Sequence, residues 1–70
     1  MTDEILTVEE LARYLKLKPQ TIYKWAQEGQ LPAIKLGKEW RFRKTLIDAW
    51  LDEKFDNEMQ KASKTITHQD

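Results

Sequence analysis

The chain contains no cysteine. Neither a disulfide framework nor a thiolate zinc site can therefore staple it, and its stability must come from packing. Glycine, proline and histidine are nearly as scarce, with two, two and one. Gly29 and Gly37 stand alone, so no glycine-rich loop exists to cradle a phosphate. His68, the single histidine, lies in the tail at the end of the chain, and Asp52 and Glu53 are adjacent, so on a helix they do not converge on one substrate. Neither an enzyme nor a cofactor is expected. No long apolar run occurs either, so no membrane span and no export signal are expected, and the cytoplasm is the default location.

At 70 residues the chain is one small domain, which must build a compact core. Three tryptophans, two tyrosines and two phenylalanines supply large areas for that purpose. The formal charge is zero, with 12 basic and 12 acidic residues, but the charges are segregated. Between residues 16 and 44, Lys16, Lys18, Lys24, Lys35, Lys38, Arg41, Arg43 and Lys44 face only Glu28 and Glu39. Both flanks carry an acidic excess. With a Debye length of about 8 Å at physiological salt, local charge governs contact with a phosphate backbone more than the total does.

Thr7 and Glu10 have the spacing of a capping box, and Val8, Leu11, Ala12 and Leu15 follow on one helical face. A first helix is predicted over 8–15. After Lys16-Leu17-Lys18, Pro19 suits the first turn of a second helix, which Gly29 closes near Glu28. Its apolar face is Ile22, Trp25 and Ala26, and its opposite face is Gln20, Lys24 and Gln27, flanked by Thr21 and Tyr23. Two short helices separated by about three residues make a helix-turn-helix candidate.

The period then changes to that of strands, with Ile34 and Leu36 around Lys35, and Trp40 and Phe42 around Arg41. A two-residue loop at Gly37-Lys38 would pair Leu36 with Glu39 and Lys35 with Trp40, mixing apolar and charged side chains. A three-residue loop, Gly37-Lys38-Glu39, pairs Leu36 with Trp40, Lys35 with Arg41 and Ile34 with Phe42, giving one apolar and one basic face. The second arrangement is the expected one. A third helix is predicted from about Lys44 or Thr45, with Ile47, Trp50 and Leu51 inward and Phe55 and Met59 extending it toward residue 60. A disordered tail is expected over 61–70.

The expected fold is thus a small α+β winged helix-turn-helix over 1–60, its core at about 5–53, with a β-hairpin wing between helices two and three. On helix two, glutamine can pair with adenine, lysine with guanine or phosphate, and threonine with either. A tyrosine there can reach a phosphate or sugar. A solvated helix face uses the same residue types, so the hairpin decides. Lys35, Lys38, Arg41, Arg43 and Lys44 are more cations than protection of a strand edge needs, and fit a wing on the phosphate backbone. Trp25, Trp40, Phe42 and Trp50 fall on apolar faces and are assigned to the core, leaving Tyr14 and Tyr23 free to meet a ligand.

The ordered run Leu6-Thr7-Val8-Glu9-Glu10-Leu11-Ala12, Pro19-Gln20-Thr21-Ile22-Tyr23-Lys24-Trp25 and Glu28-Gly29 resembles the excisionase-like, MerR-related DNA-binding domains. The resemblance continues through Leu31-Pro32-Ala33-Ile34-Lys35-Leu36-Gly37, Trp40-Arg41-Phe42 and Leu46-Ile47-Asp48-Ala49-Trp50-Leu51. It implies that helix two enters the major groove of double-stranded DNA through Gln20, Thr21, Tyr23 and Lys24, while Lys35, Lys38 and Arg41 touch flanking backbone. Lys18, Gln27 and Arg43 complete the candidate site. Such domains often place a capping serine where this chain has Lys18. Related excisionases direct an integrase or recombinase, and related regulators control transcription, so a recombinase or self-association on DNA are the further partners considered. The rival reading, supported by the zero net charge and the acidic flanks, is a protein-interaction adaptor that uses the same fold without DNA.

Overall fold

The computed structural model describes residues 3–69, with side chains described through residue 59. Its elements run β1 (Ile5–Leu6), α1 (Val8–Leu15), α2 (Pro19–Gln27), β2 (Ile34–Leu36), β3 (Glu39–Arg43) and α3 (Lys44–Gln69). This is a small α+β winged helix-turn-helix.

The start of α1 is fixed by its cap. The Glu10 amide donates to the Thr7 hydroxyl at 3.1 Å, and the Thr7 amide donates to the Glu10 carboxylate at 2.9 Å, so two otherwise unpaired donors are satisfied. The helix ends at Lys16, whose φ of 60° is left-handed. The Leu17 amide then bonds the Ala12 carbonyl at 2.8 Å, closing the end of α1 and turning the chain toward α2. Pro19 opens α2, and Gly29, at φ 71°, closes the turn that follows it.

Leu6, Val8, Leu11, Ala12, Ile22, Ala26, Leu31, Phe42 and Ile47 form the buried core. Trp25, Trp40 and Trp50 pack against it only half-buried, because each ring is too large for a core of this size to enclose. Trp25 and Trp50 meet with ring centres 6.0 Å apart, joining α2 to α3. The Trp50 indole also donates to the Gln30 carbonyl at 3.0 Å.

The sheet has three strands in the order β1-β3-β2, all antiparallel. Ile5 pairs with Arg43 and Leu6 with Phe42, so the segment before α1 adds a strand that periodicity does not reveal. In the hairpin, Ile34 pairs with Arg41, Lys35 with Trp40 and Leu36 with Glu39. This corrects the expected three-residue loop. Gly37 has φ 65°, and no positive φ is found at Lys38, the sign pattern of a two-residue II′ turn with glycine first. Turn chemistry sets the register here. The reason that face segregation fails is that β2 is exposed along its whole length, so no buried face on that strand demands an apolar partner.

The register has a direct consequence. Lys35, Trp40 and Phe42 share the face that turns toward the core, whereas Arg41 and Arg43 lie on the outer face with Ile5, Ile34 and Leu36. Lys35 and Arg41 do not form one basic face.

Helix α3 runs through Gln69, past the expected boundary near residue 60. No glycine or proline follows Gly37 to stop it, and the segment is rich in residues that favour helix. Phe55 and Met59 are exposed and do not extend the core. Among the described residues, no helix is long and apolar enough to cross a membrane.

Candidate nucleic-acid interface

The outward face of α2 presents Gln20, Tyr23, Lys24 and Gln27 to solvent, with Thr21 half-exposed beside them. Ile22 and Ala26, on the opposite face, are fixed in the core, and α1 packs along α2. The face is therefore held rigidly while its polar side chains stay available. Lys18 precedes the helix, is exposed and makes no side-chain cap bond. The sequence reading of α2 and its two faces agrees with this geometry.

An open groove of about 310 Å³ separates α2 from the wing. It is lined by Tyr23 of α2, by Lys38, Glu39, Trp40 and Arg41 of the wing, and by Thr7, Val8 and Glu9 at the start of α1. Lys38 sits at the hairpin tip. The Lys35 ammonium lies 5.3 Å from the centre of the Trp40 ring, a cation–π contact on the core-facing side of the wing.

Arg41 and Arg43 each bond within the chain. Arg41 donates from Nη2 to Glu39 at 2.7 Å and from Nη1 to the Trp40 carbonyl at 2.8 Å, so one N–H of each terminal nitrogen is engaged. Arg43 donates from Nε to Asp3 at 2.6 Å. Asp3 also accepts from the Thr45 amide at 3.2 Å and the Thr45 hydroxyl at 3.0 Å, so it caps the start of α3 from 42 residues away. Burial pushes the Asp3 carboxyl up, but the bonds from Thr45 and Arg43 outweigh it and hold the group below its ordinary value.

Lys44 lies 3.2 Å from Asp48 and 5.0 Å from the centre of the Tyr14 ring. The Tyr14 hydroxyl donates to Asp48 as well. Tyr14 is therefore not free for a ligand; Tyr23 is. Sequence reasoning counted Asp3, Glu39 and Asp48 only as charges. That each sits opposite a wing or helix cation depends on pairing between distant segments. Among the described residues, no group of His, Cys, Asp or Glu could hold a metal ion.

The geometry is that of a helix-turn-helix with a wing, and comparison with known proteins agrees. The chain belongs to the helix-turn-helix domain family, of the excisionase-like type, whose model matches residues 5–54. It is 29% identical over 49 residues to two Mycobacterium tuberculosis proteins. One, from strain CDC 1551 / Oshkosh, is named "Putative DNA-binding protein MT0521", and its counterpart in strain H37Rv is Rv0500A. The matched segment covers 70% of this chain and 63% of each relative. No solved structure matches the chain.

Proposed function

We propose that the protein reads duplex DNA in a sequence-specific manner, with α2 in the major groove and the wing on flanking backbone. The observation that carries this reading is the solvent face of α2, where Gln20, Tyr23, Lys24 and Gln27 project from a helix locked to the core by Ile22 and Ala26. These side chains can make paired hydrogen bonds with base edges or contact phosphate. Lys18, at the start of α2, and Lys38, at the hairpin tip, supply sequence-independent attraction. Lys35 adds charge on the face of the wing that carries Trp40. Arg41 and Arg43 support the wing through their internal bonds, and their share of backbone contact is smaller. In the cell such binding would serve an excisionase-type directionality factor, acting with an integrase, or a small transcriptional regulator.

Titration onto duplex DNA at two salt concentrations tests the reading. Affinity should fall steeply, with a logarithmic slope of about −0.9 for each neutralised phosphate. Lys38→Ala should reduce that slope by about one and weaken binding on all sequences alike, and Gln20→Ala should relax preference at one base position. A flat salt response would instead favour the adaptor reading. Selection of bound sites from genomic fragments then separates roles: repeats beside an attachment site point to recombination, and a promoter operator points to regulation.

A further inference from the structure

The outer face of the sheet is the least explained surface of the molecule. Ile5, Ile34, Leu36 and Leu46 are 51%, 55%, 58% and 48% exposed, and they line a shallow hollow of about 110 Å³. Isolated exposed apolar residues are ordinary, but four lining one hollow are not. At its border stands Arg43, whose side chain is 58% exposed. The bond from Nε to Asp3 fixes the guanidinium, and its two terminal nitrogens have no partner among the described residues. A fork held in this way is ready to take a carboxylate. By register this face lies on the opposite side of β3 from Trp40, and Phe42 also lines the hollow.

The same chain exposes a surface of the matching kind. Phe55 and Met59 on α3 are 59% and 65% exposed. Asp52, Phe55, Asp56 and Met59 follow the i, i+3, i+4, i+7 spacing, so two carboxylates and two large apolar side chains share one face of the helix. Asp52 and Asp56 are exposed and have no partner among the described residues. At 1.5 Å per residue, Phe55 stands about 12 Å along the axis from Ile47, the residue that anchors α3 in the core. The helix thus carries this face away from the molecule's own sheet.

We infer that the outer sheet face of one molecule receives the Asp52-Phe55-Asp56-Met59 face of α3 from a second copy, with Phe55 and Met59 over the apolar hollow and an aspartate on the Arg43 fork. The two faces differ from each other, so the contact is head-to-tail and each molecule keeps one face of each kind. The patches are small, and the association is correspondingly weak and sensitive to salt. The inference does not rest on DNA binding, and it is tested without DNA.

The test is sedimentation of the full chain over a concentration series reaching about 1 mM, where an association worth only about 4 kcal/mol becomes visible. The wild type should show rising mass with concentration, reduced by salt. Arg43→Glu disables the sheet face, Asp56→Arg disables the helix face, and each variant alone should remain monomeric. An equimolar mixture should form a one-to-one dimer, because the Asp56→Arg chain keeps an intact sheet and the Arg43→Glu chain keeps an intact helix. Ile34→Asp, a change at an exposed position, replaces Arg43→Glu in the mixture if loss of the Asp3 contact unfolds that variant. A wild type that stays monomeric throughout overturns the proposal. So does association that survives Arg43→Glu and Ile34→Asp, which would place the contact between two α3 helices, and so does a mixture that fails to pair. Loss of DNA binding in the earlier titration would leave these outcomes untouched.

Discussion

The indole nitrogen of Trp50 donates to the backbone carbonyl of Gln30, 3.0 Å away, so the third helix grips the chain just beyond α2. The same ring meets Trp25 on α2 at 6.0 Å between centres. One side chain therefore sets the position of α2 against α3 by both a hydrogen bond and an aromatic contact. Trp50→Phe retains most of the ring and loses the donor, and should cost about 1 kcal/mol of stability. Trp50→Ala removes the packing too. Because the ring is only half-buried, its cost should be roughly 2–3 kcal/mol, below that of a fully enclosed tryptophan. Urea denaturation measures both, and equal midpoints for the two variants would contradict this division of roles.

The helices of this fold are legible in the sequence because their signals are local. Thr7 and Glu10 announce a cap three residues apart, and Ile22 and Ala26 follow the spacing of a buried face. The same locality made the exposed face of α2 readable, with Gln20, Tyr23, Lys24 and Gln27 where the helical period puts them. The hairpin is different. Segregation of apolar and basic side chains points to a three-residue loop, yet β2 buries nothing and Gly37 dictates a two-residue turn. The state of the cations was less legible still. Whether Arg41 and Arg43 are free depends on Glu39 two residues away and Asp3 forty residues away, and neither pairing follows from a helical or strand period. β1, only two residues long, left no periodic signal at all.

Lys18 offers a separation of stability from binding. It occupies the N-cap of α2 without a side-chain cap bond, and a cation there opposes the positive end of the helix. Lys18→Ser supplies the missing acceptor and should stabilise the fold by about 0.5–1 kcal/mol. If the lysine contacts phosphate, as proposed, the same variant should bind duplex DNA more weakly and with a salt slope lower by about one. Thermal melting and a DNA titration on one preparation give both values. A variant that is more stable and binds unchanged would assign Lys18 no part in the interface.

The contacts of Tyr14, Lys44 and Asp48 predict how stability depends on pH. The hydrogen bond from Tyr14 holds the Asp48 carboxyl below its ordinary value of 3.8; burial opposes this, and the bond and charge of Lys44 assist it. Asp3 is held below the same value. A carboxyl whose value is lower in the folded state than in the unfolded one contributes stability that is complete above 3.8. That stability is lost as pH falls through the folded value. Tyr14 and Lys44 carry the opposite sign: both are raised, so their contribution is complete below 10.0 and 10.5 and disappears as pH rises through the folded values. The melting temperature should therefore fall on acidification below about pH 4 and again on strong alkalisation. Asp48→Asn should lower the melting temperature at neutral pH and make the acid decline shallower, since one of the two depressed carboxyls has gone. Tyr14→Phe removes the largest cause of the Asp48 depression, so its acid decline should also be shallower, while Lys44 retains part of the effect. Melting curves from pH 2 to 11 decide the matter, and acid limbs of equal steepness in the wild type and both variants would show that these contacts do not hold in solution.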